Sequence, residues 1–319
     1  MPASPVVSYP HRKSSSLLST AFYSRNEITE IFERAEAFAK VGIPRSTQPR
    51  VLGFLFFEPS TRTRMSFQIA ANRLGHDVVT LENAQSSSLS KGESLADTVL
   101  NVVAMNPDAL VIRYGDSPEL DQILPTLSLP VLNAGSGTSA HPTQALLDAF
   151  TIQMQLGRVE DKKVLIVGDV RHSRVANSNF DVLAKLGAEI AVCGPAHFID
   201  RASLPPNVRV FEALDEATEW CDVYMGLRIQ MERHNDSGLP ETARASDLRG
   251  FHDAFGLTQS RLQKLKKDAM IMHPGPINYG VEFPADQSVN LDPRNCVLKQ
   301  VSNGVVVRAA LIERALGAV

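Results

Sequence analysis

The chain has 319 residues, and 32 lysines and arginines against 35 acidic residues give it a formal charge of −3. This balance gives no reason to expect a nucleic acid or an anionic membrane as a partner. The length suits two domains, although one large domain is also possible. No apolar run approaches the roughly 18 residues that span a bilayer. Cys193, Cys221 and Cys296 are far apart and form no CxxC motif, which argues against a zinc site. We therefore expect a soluble, cytoplasmic protein without a metal.

The N-terminal part of the chain begins with a polar, Pro/Ser-rich stretch, residues 1–15, which we interpret as a flexible leader. Residues 26–39 follow with a helical stripe of apolar side chains, and Asn26 is the candidate N-cap. The stripe consists of Ile28, Ile31, Phe32, Ala35 and Phe38. This pattern predicts a helix that packs on the next strand.

Residues 51–75 combine a predicted strand with a predicted helix. The apolar run from Val51 to Phe57 is typical of a buried parallel strand. Met65 and residues 69–74 then fall at roughly helical spacing, and Gly75 is placed to end the helix. The four residues 60–63 should therefore form the cap and first turn of a helix at the carboxyl end of a strand, where ligands bind in open α/β sheets.

The same four residues carry the chemistry of an anion site. The amides and dipole of a first helical turn favour a phosphate, and hydroxyls from Ser60, Thr61 and Thr63 add hydrogen bonds. Arg62 adds a planar fork that fits phosphate bidentately. The simpler alternative is a capping box with solvated arginines, but it does not explain two arginines within one turn.

The polar loop 82–94 contains one cation, Lys91, among five serines. It is either an ordinary surface loop or a lid over a site. A helix is predicted over 95–106 and a strand over 109–114. Arg113 stands at the carboxyl end of that strand, which brings another guanidinium to the same edge of the sheet.

A third short strand, 130–134, leads through a Gly/Ser turn into a helix predicted over 142–156. Pro142 suits the first turn of that helix, so His141 and Gln144 lie at its start. Taken alone, His141 is as consistent with a simple helix cap as with a ligand. Its position beside a glycine-rich turn at a strand end favours a functional role.

The next part of the chain predicts a second parallel sheet with crossover helices. Strands are indicated at 163–170, 189–195, 208–213 and 222–227, and a helix at 175–188. Only Gly168 is present where a dinucleotide site requires GxGxxG, so we reject a nicotinamide site. Arg174 and Arg228 take equivalent positions at the edge of this sheet and could bind two carboxylates, or could both be solvated.

The last part of the chain alternates polar and apolar segments. A mobile loop is expected over 231–246, an amphipathic helix with a solvated basic face over 257–269, and a short strand over 269–272. The stiff turn that follows, His273 to Pro276, should fix a backbone path rather than supply an acid or base. The final helix, 303–316, should pack on the first domain.

From about residue 15 to its end, the chain resembles the transcarbamoylase family, and within it the aspartate-specific catalytic chains. The resemblance rests on segments that occur in the family's order and spacing: FFEPSTRTR, the SxxxKGES loop, HPTQALLD, GDVRHSRVANSN, RIQMER and HPGP. It implies an α/β fold of two domains, each a parallel sheet flanked by helices. Residues 16–150 with the C-terminal helix 303–319 would bind carbamoyl phosphate, and residues 151–302 would bind aspartate.

The resemblance also implies a role for each candidate residue. The catalytic group would be Arg62, Thr63, Arg113 and His141. Carbamoyl phosphate would be bound by Ser60, Thr61, Arg62, Thr63, Arg113, His141 and Gln144, with Ser87 and Lys91 donated by the adjacent subunit. Aspartate would be bound by Lys91, Arg174, Arg228 and Gln230, and by the backbone around Gly275 and Pro276.

The implied reaction transfers a carbamoyl group to the α-amino group of L-aspartate, gives N-carbamoyl-L-aspartate and phosphate for pyrimidine biosynthesis, and needs no cofactor. The implied assembly is a homotrimer with shared active sites, with regulatory chains or a dihydroorotase as possible partners. An ornithine transcarbamoylase is one alternative, although such enzymes are expected to carry His-Cys-Leu-Pro where this chain has residues 273–276. A non-catalytic assembly subunit is another, because Ser136 and Tyr279 replace a common aspartate and a common arginine.

Overall fold

The computed structural model describes residues 16–82, 92–229 and 241–317. The chain divides into two compact units. The first unit includes residues up to Phe150 and again from Val301, and the second unit is Thr151–Gln300. Among the described residues, none of the helices combines the length and the apolar character needed to cross a membrane.

The first unit contains a four-stranded parallel sheet of order β2-β1-β3-β4. Its strands are β1 Val51–Phe56, β2 Asp77–Glu82, β3 Ala109–Tyr114 and β4 Val131–Ser136. Its helices are α1 Arg25–Val41, α2 Thr61–Leu74, α3 Leu95–Ala104 and α4 Pro118–Ile123, and α5 Pro142–Leu156 begins in it and ends in the second unit. Every residue of β3 and β4 is buried, as expected for parallel strands covered on both faces.

The second unit contains a five-stranded parallel sheet of order β7-β6-β5-β8-β9. Its strands are β5 Lys163–Val167, β6 Glu189–Cys193, β7 Val208–Phe211, β8 Val223–Gly226 and β9 Met270–Met272. Its helices are α6 Arg174–Lys185, α7 Leu214–Trp220, α8 Glu241–Phe255 and α9 Gln259–Lys264, and α10 Val297–Ala315 begins at its end. The predicted α/β class, with two parallel sheets and flanking helices, is confirmed.

Each sheet reverses its strand order once. In the first unit the chain goes from β1 outward to β2 and later from β3 outward to β4, so the reversal lies between β1 and β3. In the second unit the equivalent point lies between β5 and β8. Loops that leave the two central strands at such a point diverge and open a crevice at the carboxyl ends, which is where open α/β sheets bind ligands.

The C-terminal helix α10 packs in the first unit, as predicted. Arg34 of α1 makes a bidentate pair with Glu313, at 2.5 and 2.7 Å. Arg314 pairs with Glu27 and Glu30 of the same helix, at 3.0 and 3.2 Å. Buried side chains of α10 such as Val307 add apolar contact area, so helix α10 is fixed by both charge and burial.

Several predicted boundaries are wrong for local reasons. Helix α1 is capped by Ser24 rather than Asn26, because Ser24 and Glu27 form a reciprocal capping box. Met65 and Ile69, placed on an apolar stripe of α2, are 50% and 40% exposed, and the buried face includes Phe67 instead. Helix α10 begins six residues earlier than predicted, at Val297 rather than residue 303.

The second unit differs from the prediction in several places. Strand β5 ends at Val167, and helix α6 already begins at Arg174. Residues 241–246, expected in a loop, open helix α8. The helix expected over 257–269 is only the six-residue α9, and its basic face is not fully solvated because Arg261 is buried against the Gly256 carbonyl at 2.8 Å.

Candidate active site

The candidate residues of the first unit lie at the carboxyl ends of β1, β3 and β4. Phe56 is in register with Arg113 on the neighbouring strand, and the Phe57 amide donates to the Arg113 carbonyl at 2.8 Å. The turn that leads from β1 into α2 therefore begins beside Arg113. This is the point where the strand order reverses, so the predicted anion site occupies the ligand-binding crevice of its sheet.

Residues 60–63 form the start of α2, as the sequence predicts. Ser60 is the N-cap residue in an extended conformation, and the Arg64 amide donates to its carbonyl at 3.2 Å. Within the described structure the Ser60 side chain makes no capping hydrogen bond. Thr61 and Arg62 are exposed, whereas Thr63 is buried. The Ser60 hydroxyl is thus not committed to its own helix, and Arg62 can reach a ligand in solvent.

Arg113 is held in place by its neighbours. Its side chain is buried, Nη1 donates to the Ala134 carbonyl of β4 at 3.2 Å, and Nε lies 3.6 Å from Glu58 Oε2. The guanidinium is therefore fixed between the ends of β1 and β4 before any ligand binds. A buried, pre-oriented cation of this kind stabilises charge without further reorganisation.

His141 and Gln144 lie at the start of α5 and are both buried. The His141 carbonyl accepts from the amides of Gln144 and Ala145, at 3.0 and 3.2 Å, so His141 stands at the N-cap position. Gln144 Nε2 donates to Asp148 Oδ1 at 2.9 Å, which fixes the orientation of the Gln144 amide.

Two buried residues near Gln144, Asp148 and Arg308, were not predicted from the sequence as part of the site. Asp148 is fully buried, and Arg308 of α10 is buried near it, with Nη2 at 3.4 Å from Thr143 Oγ1. Burial lowers the pKa of Arg308 to about 10, and the charge of Asp148 acts in the opposite direction. Arg308 therefore remains a cation at neutral pH. One indication of this role was present in the sequence, because Arg308 is a charged residue within the apolar face of α10.

The candidate residues of the second unit lie at the reversal between β5 and β8. Arg174 is the first residue of α6, and Arg228 follows the end of β8. Gly168 makes this geometry possible, because its φ is +128° and an added Cβ would lie 2.9 Å from the Leu227 carbonyl oxygen. Gly168 thus allows the ends of β5 and β8 to approach each other closely.

A buried carboxylate supports the turn before α6. Asp169 is fully buried, and its Oδ1 lies 2.9 Å from His172 Nδ1 and accepts from the His172 amide at 3.2 Å. The side chain of Ser173 then caps α6 by accepting from the Ala176 amide at 3.2 Å. These contacts fix the backbone immediately before Arg174.

The turn from His273 to Pro276 is also held at its base. His273 is buried, its amide donates to Gln300 Oε1 at 2.9 Å, and its Nδ1 accepts from the Gly275 amide at 2.8 Å. Nδ1 is therefore the unprotonated nitrogen of that ring. The structure agrees with the expectation that this segment fixes a backbone path.

Three predicted site residues, Ser87, Lys91 and Gln230, lie outside the described residues. The two unusual positions have structural roles. Ser136 accepts from Asn133 Nδ2 at 3.1 Å at the end of β4, and the Tyr279 hydroxyl hydrogen-bonds with Asn290 at 2.9–3.1 Å. Within the described ranges no group of three or more His, Cys, Asp or Glu side chains is arranged to hold a metal ion.

Comparison with known families matches both units. Residues 15–154 match a family model described as the carbamoyl-P binding domain of aspartate/ornithine carbamoyltransferase. Residues 160–314 match the model described as the Asp/Orn binding domain of the same family. The two matches together include every candidate residue described above.

Individual relatives cover most of the chain. The aspartate carbamoyltransferase catalytic subunit of Prosthecochloris aestuarii is 43% identical over 296 residues, which is 90% of this chain and 93% of that protein. The corresponding subunit of Sphingopyxis alaskensis is 45% identical over 294 residues, 90% of this chain and 83% of that protein. A crystal structure of aspartate transcarbamoylase from Trypanosoma cruzi with carbamoyl phosphate and aspartate has a TM-score of 0.81, at 30% identity, and the match covers 94% of this chain and 96% of that chain.

Proposed function

This chain belongs to the aspartate/ornithine carbamoyltransferase family, and from that premise we propose which of its residues carry out the reaction. It is an aspartate carbamoyltransferase, which transfers the carbamoyl group of carbamoyl phosphate to the α-amino group of L-aspartate. The observation that carries the residue assignment is the position of the candidates. Each sheet places its cationic candidates at the one point where its strand order reverses.

The first unit binds carbamoyl phosphate. The amides and hydroxyls of residues 60–63 and the Arg62 fork bind the phosphate, since this helix start lacks a cap from Ser60. Arg113 and His141 donate to the carbonyl oxygen, and Gln144 contacts the carbamoyl group. The support for Gln144 is its fixed orientation on the buried Asp148.

The second unit binds aspartate through Arg174, Arg228 and Gln230, with the backbone at Gly275 and Pro276 orienting the amino group. Two guanidinium groups suit a dicarboxylate, because each can bind one carboxylate bidentately. Ornithine has one carboxylate and a cationic side chain. Two arginines therefore favour aspartate as the acceptor in a family whose description names both.

The chemistry follows from these groups. The α-amino nitrogen forms a bond to the carbamoyl carbon, the bond from that carbon to the phosphate oxygen breaks, and the leaving phosphate takes the proton that the amine loses. Negative charge builds on the carbonyl oxygen in between, where Thr63, Arg113 and His141 donate hydrogen bonds. Both substrates are anions that repel, so binding them with fixed cations supplies much of the rate enhancement.

The enzyme acts as a homotrimer in which Ser87 and Lys91 complete the site of the adjacent subunit. Support comes from apolar side chains exposed on two neighbouring elements of the first unit: Met65 and Ile69 on α2 are 50% and 40% exposed, and Val79 on β2 is 65% exposed. Mixing two inactive variants, Lys91→Ala and Arg113→Ala, tests shared sites. Hybrid trimers should regain activity, and a mixture as inactive as its components would contradict sharing.

We place the enzyme in the cytosol. The support is its cysteine usage, since all three thiols are free and buried, and burial raises the pKa of Cys193 and Cys221 to about 12. Such buried thiols react slowly, and they do not form the disulfide framework that is common in secreted proteins.

The substrate assignment is tested by offering carbamoyl phosphate with either L-aspartate or L-ornithine and identifying the product by mass. We expect N-carbamoyl-L-aspartate and phosphate in equal amounts, and no carbamoylated ornithine. Turnover of ornithine alone would overturn the choice of acceptor. A folded protein that turns over neither acceptor would indicate a non-catalytic subunit.

A further inference from the structure

One carboxylate of the second unit binds two chain segments that lie about 50 residues apart in sequence. Glu282 is 2% exposed. Its Oε1 accepts from the Ile229 amide at 2.7 Å and from Asn278 Nδ2 at 2.9 Å, and its Oε2 accepts from the Asn278 amide at 2.6 Å. One side chain thus fixes the backbone of both segments.

Both segments carry residues that we assign to aspartate. Ile229 directly follows Arg228 and precedes Gln230, while Asn278 stands two residues after Pro276. The backbone of Glu282 is also hydrogen-bonded. Its amide donates to the Asn278 carbonyl at 3.1 Å, and its carbonyl accepts from the Leu257 amide at 2.9 Å. A single carboxylate therefore links the two segments through a backbone amide of each.

The burial of this charge carries a cost. Burial raises the pKa of the Glu282 carboxyl, while the hydrogen bonds from Ile229 and Asn278 act in the opposite direction. A buried charge is weak evidence for a purely stabilising role, because a well-packed apolar group often serves stability as well. Two amide donors from separate segments, in contrast, require an acceptor with two oxygens at a fixed separation.

We propose that Glu282 is a positioning residue for aspartate, which acts through Arg228 by holding the backbone next to Arg228 at a fixed distance from the 275–278 turn. The inference rests on the proposed function and adds to it a residue that does not touch the substrate. Its action is expressed in aspartate binding. It should not affect the binding of carbamoyl phosphate, whose assigned residues belong to the first unit.

The test is steady-state kinetics of Glu282→Gln. The substitution keeps the shape of the side chain but turns one accepting oxygen into an NH₂ group that faces an N–H donor. We expect the KM for aspartate to rise about tenfold, which corresponds to the loss of one hydrogen bond to a charged acceptor. The KM for carbamoyl phosphate should change less than about twofold.

The double variant Arg228→Ala/Glu282→Gln separates positioning from general loosening. If Glu282 acts through Arg228, the substitution should have little further effect on the aspartate KM once Arg228 is gone, whereas independent effects multiply. Glu282→Asp should recover part of the loss, since it keeps both oxygens on a shorter stem. Should Glu282→Gln not fold, Asn278→Ala removes only the 2.9 Å side-chain donor and should raise the aspartate KM about threefold.

Asp292→Asn is the matched control. It breaks a carboxylate pair in the same unit, Asp292 with Arg294 at 2.6 Å, and should lower the unfolding temperature while the aspartate KM stays unchanged. Wild-type turnover with an unchanged aspartate KM in Glu282→Gln, or multiplying effects in the double variant, would overturn this inference alone. Absence of any wild-type turnover would overturn the proposed function and the inference with it.

Discussion

The two units place a helix N-terminus at the same point of their sheets but use it differently. In the first unit Ser60 stands at the N-cap of α2, and within the described structure it makes no side-chain capping bond. In the second unit Ser173 caps α6 by accepting from the Ala176 amide. Under the proposed function the first helix start binds an external anion, whereas the start of α6 is capped by its own serine and contributes the half-buried Arg174 as a side-chain ligand. A phosphate suits backbone amides, and a dicarboxylate suits two separate guanidinium groups.

The largest expected effect comes from removing the guanidinium of the first helix start. Arg62→Ala should lower kcat/KM about 100- to 1000-fold, because a charged donor is lost where charge develops on the leaving phosphate. Initial-rate kinetics with both substrates varied measures it. Arg73→Ala removes an exposed arginine from the last turn of the same helix and should be neutral. Near-wild-type kinetics of Arg62→Ala would contradict the phosphate assignment.

The next largest effect should come from the second unit and should appear in the KM for aspartate. Arg228→Ala should raise the aspartate KM about 10- to 100-fold, which is the loss of a charge-assisted hydrogen bond to a carboxylate. The carbamoyl phosphate KM should stay within about twofold. The exposed Arg249 of α8 provides the control, since Arg249→Ala should change neither constant. Equal increases in both KM values would contradict the assignment of one substrate to each unit.

A smaller effect, on stability, should follow from the strand approach behind the second site. Gly168→Ala should destabilise the protein by about 1–3 kcal/mol, because its φ of +128° and the Leu227 carbonyl at 2.9 Å leave no place for a Cβ. Gly250→Ala in α8 has open space around it and should instead stabilise by about 0.5–1 kcal/mol. Urea unfolding measures both. A neutral Gly168→Ala would show that the two strand ends can separate.

The smallest effect addresses the two serine caps directly. Ser173→Ala should cost about 1 kcal/mol of unfolding free energy, as the loss of an N-cap does, and leave the carbamoyl phosphate KM unchanged. Ser60→Ala should cost less than about 0.5 kcal/mol, because no capping bond is lost. It should instead raise the carbamoyl phosphate KM up to about tenfold. Similar stability losses in both variants would mean that α2 is capped in solution like α6.

The elements that the sequence predicts correctly are those whose signal is local. Strand β1 and the first four residues of β3 are apolar runs, and Arg113 is the next-to-last residue of β3. The segment 60–63 begins four residues after the end of β1 and His141 lies five residues after the end of β4, so the local pattern places them. The start of helix α8 was not predicted because its first residues have the same polar composition as the residues before them in the sequence. The early end of helix α9, at Lys264, was also not predicted from the sequence pattern.

The supporting residues could not be predicted, because their roles depend on contacts between distant parts of the chain. Glu282 reaches Ile229 across 53 positions. Arg308 reaches Thr143 across 165. Nothing in the spacing of either residue reveals its partner. The exposed faces of Met65 and Ile69 were misjudged for a related reason, since helical periodicity shows which residues share a face but not which face meets the sheet.

The central claim is the division of labour between the two units, and direct binding of carbamoyl phosphate in the absence of aspartate tests it without any turnover. Calorimetric titration of the wild type, Arg62→Ala and Arg228→Ala measures the three dissociation constants under one condition. We predict that Arg62→Ala weakens binding at least tenfold, a loss of about 1.4 kcal/mol, and that Arg228→Ala binds as the wild type does. Equal weakening in both variants, or wild-type affinity in Arg62→Ala, would contradict the division.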